Sequence, residues 1–325
     1  MQFASTDHFR TLAKKRIPHF LFEYIDGGSY DEITLKNNRS DLQKIALRQR
    51  VMRDVSSVDT SAELFGTQYS LPLALAPVGL AGMYAKRGET QAVRAANAKN
   101  IPFSLSTVGI CSIEEVAKAA SAPFWFQLYM VRDREFMKDL LQRASEQGSK
   151  TLLFTVDLPT PGARYRDFHS GLSGGSPALN SLQRLYQIAT RPHWALNVGL
   201  QGGPHILGNL TSVLGKDSGL NDFQAWVASN FDPSINWDAL DFVREHWNGD
   251  IVLKGVLDAD DARTAVSAGV DGIVVSNHGG RQLDGALSSA KALPDIANAV
   301  QGRLSILADS GVRTGLDIAR MIALG

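Results

Sequence analysis

Short apolar runs alternate with amphipathic stretches along most of the chain. Seven runs are continuous and rich in branched residues, namely 73–78, 102–107, 124–129, 152–157, 251–255, 272–277 and 304–309. Continuous runs of this length are typical of parallel strands in a sheet whose outer face is covered. The stretches between them have helical periodicity and predict helices at 89–99, 112–120, 133–147, 258–268, 289–300 and 315–324. Strands that alternate with helices predict an α/β architecture.

The intervals between the predicted strand ends reveal one insertion. Ends at positions 77, 106, 129, 157, 254, 277 and 309 lie 23 to 32 residues apart, except for one interval of 97. Each short interval fits one strand–helix unit, and the long one contains an inserted segment, about 171–233, rich in Gly, Pro, Asn and Ser. We therefore expect a single domain with N-terminal helices in 1–65, a barrel over 70–325 and this insertion after the fourth strand.

Polar residues stand at the carboxyl end of nearly every predicted strand. They are Ser106, Thr107, Gln127, Tyr129, Thr155, Asp157, Lys254, Asn277, His278 and Asp309. A (β/α)₈ barrel builds its active site from these ends, whereas a doubly wound sheet concentrates polar groups at one switch point. The sequence thus predicts a TIM (β/α)₈ barrel. Only seven units can be counted, and we expect the eighth strand–helix unit to be missing from this chain.

Composition excludes several classes of function. With 44% hydrophobic and 20% charged residues, the 325-residue chain can bury a full core, which excludes intrinsic disorder. Its 33 basic and 33 acidic residues cancel, so no net charge attracts nucleic acid. One cysteine, Cys111, and seven histidines without ligand-pair spacing predict neither a disulfide framework nor a metal site. No apolar run approaches the roughly 20 residues of a membrane-spanning helix, although surface association stays open.

The segment 276–285 carries the densest chemistry. His278 can act as a base near neutral pH, and Arg281 can bind a carboxylate through two hydrogen bonds. The two glycines between them permit close approach of a small anion. The alternative is an ordinary turn with a solvated arginine, but the position at a strand end favours function.

A second group lies on neighbouring strands. Asp157 can orient His278 and stabilise its cation, and Arg164 offers a second carboxylate clamp; alternatively, Asp157 caps a turn and Arg164 lies on the surface. Lys254 is either a Schiff-base nucleophile or a fixed charge beside a cofactor. Gln127 and Tyr129 point to the same side of their strand. No Gly-x-Gly-x-x-Gly follows the first strand, which disfavours a nicotinamide-binding fold, and no serine lies in a nucleophile elbow.

Together these motifs resemble the FMN-dependent α-hydroxy-acid dehydrogenase and oxidase family, and within it most closely the bacterial respiratory L-lactate dehydrogenases. The resemblance extends from the N-terminal helices to Gly325. It implies FMN-dependent oxidation of L-lactate to pyruvate, with electrons passed to a quinone or another respiratory acceptor. The alternatives are a mandelate or glycolate dehydrogenase or oxidase, a Schiff-base barrel lyase using Lys254, and an incompletely folded chain that binds no flavin.

The resemblance also assigns roles to single residues. It implies that His278 is the catalytic base and that Asp157 stabilises the resulting imidazolium. It implies that the substrate is bound by Tyr24, Tyr129, Arg164 and Arg281. It implies that FMN contacts Pro77, Val78, Gly79, Ser106, Gln127, Thr155, Lys254, Ser276, Asp309, Gly311 and Arg313. Lys254 would lie near the flavin N1–C2=O edge, where its charge favours the reduced ring.

The same resemblance bears on the acceptor and on location. At position 79 the chain resembles the dehydrogenase branch of the family, which carries Gly there, whereas the oxidases tend to carry Ala. Membrane-associated relatives dock through the insertion, whose mixture of basic and aromatic residues suits an interface, although a lid over the active site is the alternative. That mixture comprises Arg184, Tyr186, Arg191, Trp194 and Trp226. We expect a homo-oligomer in peripheral contact with the cytoplasmic side of the inner membrane. Relatives continue through an eighth strand that contacts the phosphate, so its absence would weaken FMN binding.

Overall fold

A computed structural model describes residues 4–215 and 220–325. Its strands are β1 (Ala62–Leu64), β2 (Thr67–Tyr69), β3 (Ser104–Ser106), β4 (Trp125–Tyr129), β5 (Thr151–Thr155), β6 (Asp250–Val256), β7 (Gly272–Val275) and β8 (Ser305–Ala308). The first two form an antiparallel hairpin, and the other six form one parallel sheet in sequence order. Parallel strands that neighbour one another in chain order, each followed by helix, make this an α/β barrel sheet.

Helices account for most of the remaining chain. They are α1 (Thr6–Arg16), α2 (His19–Asp26), α3 (Ile33–Lys44), α4 (Ala81–Tyr84), α5 (Gly88–Ala98), α6 (Ile113–Ala119), α7 (Arg134–Glu146), α8 (Tyr165–His169), α9 (Pro177–Ala189), α10 (Pro192–Trp194), α11 (Thr211–Leu214), α12 (Leu220–Asn230), α13 (Ala239–His246), α14 (Ala259–Ser267), α15 (Ser289–Val300) and α16 (Gly315–Leu324). A π-helical turn covers Ala195–Leu200, and 3₁₀ turns cover Gly208–Leu210 and His278–Gly280.

The six helices predicted between strands agree with the structure to within one residue at each end. Their starts are encoded locally, because polar N-cap side chains accept hydrogen bonds from the first backbone amides. Ser112 accepts from Glu115 N at 3.2 Å, and Asp258 accepts from Asp260 N at 2.7 Å. Thr314 and Asp317 form a reciprocal capping box at the start of α16.

The prediction of a regular first strand over 73–78 was wrong. Only Leu75 pairs, through a parallel bridge to Phe103, with Leu75 N donating to Pro102 O at 2.8 Å. Pro72 and Pro77 flank this position and have no amide proton to donate, which prevents a continuous ladder. The six-stranded sheet therefore continues through one bridged residue. Within the described ranges no strand pairing joins β8 to this segment, and the residues of β8 are only partly buried.

The interior of the barrel is built in layers. Trp125, Leu153, Val252 and Val274 form a buried apolar layer near the amino ends of the strands. The β1–β2 hairpin covers this end, with the Phe65 ring edge-on to Trp125 at 5.6 Å. Because side chains alternate along a strand, the next inward positions toward the carboxyl ends carry Gln127, Thr155 and Lys254, which are polar. The apolar layer thus supports a polar one.

The outer faces of the strands pack against the helices. Phe126 and Leu128 of β4 are fully buried, as are Leu140 and Leu141 of α7 and Ile296 of α15. Burying one such side chain stabilises the fold by about 1.5–3 kcal/mol. The continuous apolar runs of the sequence reflect this arrangement, since inward and outward positions are both removed from water.

The insertion is largely helical and contains α9 to α12; its residues 216–219 lie outside the described part of the chain, as do residues 1–3. The expectation that Trp194 and Trp226 lie at an interface was wrong, because both are buried. Trp194 Nε1 donates to Met83 O at 2.8 Å, and Trp226 meets Phe136 edge-on at 6.0 Å. Both indoles attach the insertion to the core.

The N-terminal helices lie against the carboxyl ends of the strands. Ser29 N, between α2 and α3, donates to Gly280 O at 2.9 Å. Asn38 of α3 exchanges hydrogen bonds with Asn277, next to β7. The segment 1–65 is not wholly helical as predicted, because β1 begins at Ala62. These contacts bring the amino-terminal part of the chain to the edge of the barrel that carries the polar residues.

Candidate active site

The carboxyl ends of the strands open into a cavity of about 860 Å³. This volume lies within the range of roughly 300–1,000 Å³ that is common for ligand and cofactor sites. All but three of the predicted site residues line it, namely Tyr24, Pro77, Val78, Gly79, Gln127, Tyr129, Thr155, Arg164, Lys254, His278, Arg281, Asp309, Gly311 and Arg313. Residues that are up to 289 positions apart in the sequence thus meet at one site.

The other three predicted residues lie behind the cavity wall, and each bonds to a residue that lines it. Ser106 Oγ donates to Gln127 Oε1 at 3.0 Å. Ser276 Oγ accepts from Lys254 Nζ at 2.8 Å. Asp157 reaches the site through His278. The three residues therefore orient side chains that face the cavity.

His278 and Asp157 form a hydrogen-bonded pair. Nδ1 of His278 lies 2.9 Å from Oδ1 of Asp157. A carboxylate at Nδ1 holds the proton of the neutral ring on that nitrogen, which leaves Nε2 free to accept another. Asp157 comes this close because position 255 has no side chain: a Cβ on Gly255 would lie 2.5 Å from Asp157 Cβ. Gly255 has φ +115° and lies where the β6–β7 register shifts, so the bulge shapes the site.

Two guanidinium groups flank the ring of Tyr24. The Cζ atoms of Arg164 and Arg281 lie 4.8 and 5.0 Å from its centroid. Nη1 of Arg281 donates to the backbone oxygens of Tyr24 and Gly27, at 2.6 and 2.7 Å. Burial, followed by the charge of Arg164, lowers the pKa of Arg281, but arginine remains charged in proteins. Two cations held around one aromatic ring could bind an anion.

Asp167 is a member of the site that sequence reasoning missed. Its Oδ2 lies 3.2 Å from Nε of Arg164, and both side chains are largely buried. Burial raises the pKa of Asp167, and its Oδ1 is buried without a hydrogen-bond partner. The available signal was the spacing of Arg164 and Asp167 at i and i+3 around the start of a helix. Asp167 offsets part of the positive charge of the two arginines.

Lys254 is buried and paired. Its Nζ donates to Asp309 Oδ2 at 2.6 Å as well as to Ser276. Burial lowers the pKa of Lys254, but the charges of Asp309 and Asp157 raise it by more than burial lowers it. The net shift of this pKa is therefore upward. A Schiff-base nucleophile needs a neutral amine, and this environment favours the ammonium form. The geometry therefore favours a fixed charge beside a cofactor.

Aromatic rings cover one side of the cavity. The Tyr129 ring lies 5.2 Å from that of Phe231 and 6.3 Å from the ring of His278. Burial, and then the charge of Asp157, raise the pKa of Tyr129, so its hydroxyl stays protonated and can donate. Sequence reasoning did not find Phe231, because it comes from the far end of the insertion and is brought back to the barrel by tertiary contacts. These include its bridge to Val131 and the hydrogen bond from Asp232 N to Met130 O.

The cavity residues fit an FMN molecule. Pro77, Val78 and Gly79 line the cavity, and position 79 leaves no room for a side chain, because a Cβ on Gly79 would lie 2.8 Å from Val108 Cγ2. Gln127 offers an amide and Lys254 a cation, which suit the polar edge of a flavin. Arg313, in the loop after β8, lines the cavity and can bind a phosphate. Planar, polar and anionic parts of the cofactor would each meet a suitable group.

Known proteins resemble the chain over its full length. Residues 13–325 match the family model described as FMN-dependent dehydrogenase. An L-lactate dehydrogenase from Caulobacter sp. (strain K31) is 60% identical over 325 residues, covering 100% of this chain and 85% of the relative. An L-lactate dehydrogenase from Stenotrophomonas maltophilia (strain R551-3) is 62% identical over 322 residues, covering 99% of this chain and 84% of the relative.

Solved structures agree with this assignment. The monotopic membrane protein (S)-mandelate dehydrogenase superposes with a TM-score of 0.91 at 34% identity, covering 100% of this chain and 85% of that one. A mandelate oxidase superposes with a TM-score of 0.81 at 33% identity, covering 100% and 83%. A mandelate oxidase variant that carries an FMN adduct has a TM-score of 0.79 at 33% identity, covering 98% and 82%. The predicted barrel class and cofactor are confirmed. The chain belongs to the FMN-dependent dehydrogenase family, and its cofactor is FMN.

Proposed function

We propose that this chain oxidises L-lactate to pyruvate and passes the electrons to a quinone or another respiratory acceptor. One observation carries the proposal: the His278–Asp157 pair opens onto the same cavity as the guanidinium groups of Arg164 and Arg281. A base and a carboxylate clamp on one cavity suit a 2-hydroxy acid. The 60–62% identity to proteins named L-lactate dehydrogenase supports lactate as the substrate.

The protein's own groups divide the work as follows. Arg164 and Arg281 bind the substrate carboxylate, and Tyr129 donates its phenolic proton to a substrate oxygen. Nε2 of His278 accepts a proton from the substrate, while Asp157 stabilises the imidazolium that forms. The aromatic wall excludes water from the reacting carbon. Bound FMN supplies the two-electron acceptor.

The cofactor would be held by three groups of residues. Lys254, Gln127 and Thr155, supported by Ser106 and Ser276, would bind the polar edge of the ring. The backbone at 77–79 would lie against its face. Asp309, Gly311 and Arg313 would bind the ribityl chain and phosphate. The charge of Lys254, although paired, would favour an anionic reduced ring.

Mandelate is the second candidate substrate. The structural neighbours are named for mandelate, and they superpose at 33–34% identity. The much higher identity to lactate dehydrogenases favours the smaller acid. Anaerobic addition of each acid to the yellow holoprotein separates the candidates, since the true substrate bleaches the flavin. If no short 2-hydroxy acid bleaches it, the proposed function is wrong.

We also propose peripheral contact with the cytoplasmic side of the inner membrane. No helix in the described part of the chain is long and apolar enough to cross a bilayer. On α9, however, Leu179, Leu182, Leu185 and Tyr186 are between 63% and 70% exposed and share one face. A helix with such a face can lie in a membrane interface. One structural neighbour is itself called a monotopic membrane protein.

The position of this face also suits an apolar electron acceptor. Leu21 and Leu172 line the cavity, and both belong to an apolar cluster that includes Trp194. Gln187 of α9 accepts from Phe20 N in the same region, at 2.6 Å. The apolar part of the cavity wall formed by Leu21 and Leu172 thus lies near the carboxyl end of α9. A quinone in the membrane would approach from this side.

Flotation with vesicles of phosphatidylethanolamine and phosphatidylglycerol tests the membrane proposal. The double variant Leu182→Glu/Leu185→Glu should lose vesicle binding and keep lactate oxidation with a soluble dye. Val55→Glu/Val58→Glu is the matched control, because those valines are equally exposed on another segment. Equal binding of both variants would contradict the proposal. A homo-oligomeric state belongs to the same proposal, and light scattering of the purified protein tests it.

A further inference from the structure

We propose that Asn38, on α3, is a positioning residue for His278 and acts through the side chain of Asn277. The inference rests on the proposed function only in taking His278 as the base. It concerns a helix outside the barrel, far from the active-site motifs in sequence. A continuous set of hydrogen bonds joins α3 to the turn that carries His278.

The first contact between α3 and the residue next to His278 is a reciprocal pair of side-chain amides. Asn38 Nδ2 donates to Asn277 Oδ1 at 2.9 Å, and Asn277 Nδ2 donates to Asn38 Oδ1 at 2.7 Å. Both side chains are buried, at 2% and 5% exposure. Asn277 Nδ2 also donates to Leu287 O at 2.9 Å. Buried amides that lose one partner keep an unsatisfied polar group, so the pair holds both side chains in fixed orientations.

The second step joins Asn277 to the turn. His278, Gly279 and Gly280 are three successive residues with left-handed backbones, at φ 57°, 70° and 72°. A histidine in this region is strained and persists only where neighbours hold it. Asn277 Oδ1 accepts from Gly280 N at 3.0 Å and thereby closes the turn around His278. The oxygen that binds Asn38 is therefore the same oxygen that holds the strained turn.

The third step is the close packing of the turn against α3. A Cβ on Gly280 would lie 2.5 Å from Leu35 N. Ser29 N donates to Gly280 O, and Ser310 Oγ accepts from Gly279 N at 3.1 Å. The turn thus rests on α3 on one side, while Asp157 fixes the imidazole on the other. Loss of the amide pair should let the turn relax and move Nε2 of His278.

Asn38 also lines the cavity, so a direct contact with FMN is the competing explanation. One N–H and the oxygen of its amide bind Asn277, which supports the positioning role. The two roles differ in their consequences. A cofactor contact would change FMN affinity, whereas a positioning role would change the state of His278 even without FMN.

The experiment uses the full chain with Asn38→Leu, which has similar volume and no amide, and Asn38→Asp, which can accept from Asn277 but cannot donate. Asp41→Asn is the matched control, because Asp41 is a buried polar residue of the same helix that binds Ser288 Oγ at 2.9 Å, Lys44 and Lys291 rather than Asn277 or the turn 278–280. If Asn38→Leu fails to fold, Asn38→Asp provides the test.

For Asn38→Leu we expect kcat for L-lactate to fall by on the order of 10²-fold, as for a misplaced catalytic group. FMN affinity and KM should stay within about 3-fold of wild type, and Asn38→Asp should lie between the two. Asp41→Asn should lower the melting temperature and keep kcat. An FMN affinity that falls in step with kcat, or an equal loss of kcat in Asp41→Asn, would overturn the proposal.

A second readout needs neither FMN nor turnover. In the cofactor-free protein, the imidazole ¹⁵N shifts of His278 and the pH midpoint of its titration should change in Asn38→Leu but not in Asp41→Asn. Unchanged His278 signals in both Asn38 variants would also overturn the proposal. If wild type does not oxidise lactate, the proposed function fails, while this spectrum still decides the role of Asn38.

Discussion

Nζ of Lys254 lies 2.6 Å from Oδ2 of Asp309, so the buried cation of β6 has a partly buried counter-ion directly after β8. This pair joins two strands on either side of β7, at the level where the cofactor would bind. Asp309, expected at the ribityl chain, therefore has a second partner within the protein. If Asp309 binds the ribityl chain as proposed, its side chain would link cofactor binding to the charge of Lys254.

Asp309→Asn should destabilise the cofactor-free protein. Lys254 then remains buried without a counter-ion, which costs about 3–5 kcal/mol in the free energy of unfolding. Burial raises the pKa of Asp309, but the charge and hydrogen bond of Lys254 lower it by more than burial raises it. The net shift of this pKa is therefore downward. Because the pKa of Asp309 is lower in the folded protein than in the unfolded chain, its ionisation stabilises the fold. This stabilisation is complete above the pKa of the unfolded chain, about 3.9, and is lost as pH falls through the pKa of the folded protein.

Urea unfolding of both proteins from pH 3 to pH 11 measures the effect. The difference between wild type and Asp309→Asn should shrink below about pH 4. The pKa of Lys254 is raised, so its contribution is complete below about pH 10.4 and is lost above it. The advantage of wild type should thus be greatest between these limits. A difference that does not vary with pH would show that the pair is not ionised.

His278→Gln should abolish turnover and keep the yellow colour. Gln can occupy the volume of His but cannot accept a proton, and general-base catalysis contributes about 10²–10⁴-fold. The absorption spectrum and the rate of flavin reduction by L-lactate measure the two properties separately. Rapid reduction in the variant would assign the base to another residue, and loss of colour would assign His278 to cofactor binding.

Arg164→Lys should raise KM for L-lactate by about 10- to 100-fold, because an ammonium cannot reproduce the two-bond guanidinium contact with a carboxylate. Arg166→Lys is the matched control. Arg166 pairs with Glu23, Asp26 and Glu32 instead of lining the cavity. Steady-state kinetics should show a normal KM for the control, together with a lower melting temperature. A similar rise in KM for both variants would contradict the assigned role of Arg164.

Arg281→Met should likewise raise the substrate requirement, with a smaller effect on the reduction step. Its Nη1 is already bound to backbone oxygens near Tyr24, so some destabilisation of that loop is expected as well. Titration with oxalate, a small dicarboxylate that the flavin cannot oxidise as a 2-hydroxy acid, followed by flavin absorbance, separates carboxylate binding from turnover. Unchanged oxalate affinity would remove Arg281 from the clamp.

Gly79→Ala should slow lactate oxidation by about 10-fold, because the new methyl group would lie 2.8 Å from Val108 Cγ2 and displace it into the site. The resemblance of Gly79 to dehydrogenases further predicts faster reoxidation by oxygen in the variant. Gly79→Ala/Val108→Ala removes the clash and should recover the lactate rate. If the double variant is as slow as the single one, steric pressure from Val108 is not the cause.

Cys111 should be inert in the native protein. Burial, and then the neighbouring Glu89, raise the pKa of its thiol to about 12, and only the thiolate reacts with alkylating reagents. Iodoacetamide at pH 8 should leave the folded chain unmodified by mass spectrometry and should modify it fully in urea. Rapid modification without denaturant would mean that the segment around Cys111 opens.

The sequence predicted the repeated part of the fold because helix and strand periodicity are local properties. The helices 289–300 and 315–324 match α15 and α16 at both ends. The prediction of the first strand failed because Pro72 and Pro77 have no amide proton to donate to a neighbouring strand. The pattern of apolar residues does not show this loss of hydrogen bonds. The prediction that the tryptophans of the insertion lie at an interface failed because composition does not distinguish an exposed ring from one buried in the core. Trp194, for example, reaches Met83, more than 100 residues away.

In the site, residues at strand ends were found because barrel geometry brings them together. Residues that act through another side chain were harder to find. Asp167, Phe231 and Asn38 are contributed by a short helix, the end of the insertion and an N-terminal helix. Their partners are fixed by tertiary packing, and no spacing rule connects Asn38 to Asn277. The ion pair of Lys254 with Asp309 likewise follows from the strand order of the folded sheet.

Anaerobic reduction of the FMN-loaded protein by L-lactate, followed by absorbance in a stopped-flow instrument, tests the central claim most directly. L-Lactate should bleach the flavin rapidly in wild type and very slowly in His278→Gln, while L-mandelate and glycolate should act more slowly on wild type. An L-mandelate rate above that of L-lactate would contradict the substrate. A flavin that no 2-hydroxy acid reduces would contradict the whole account.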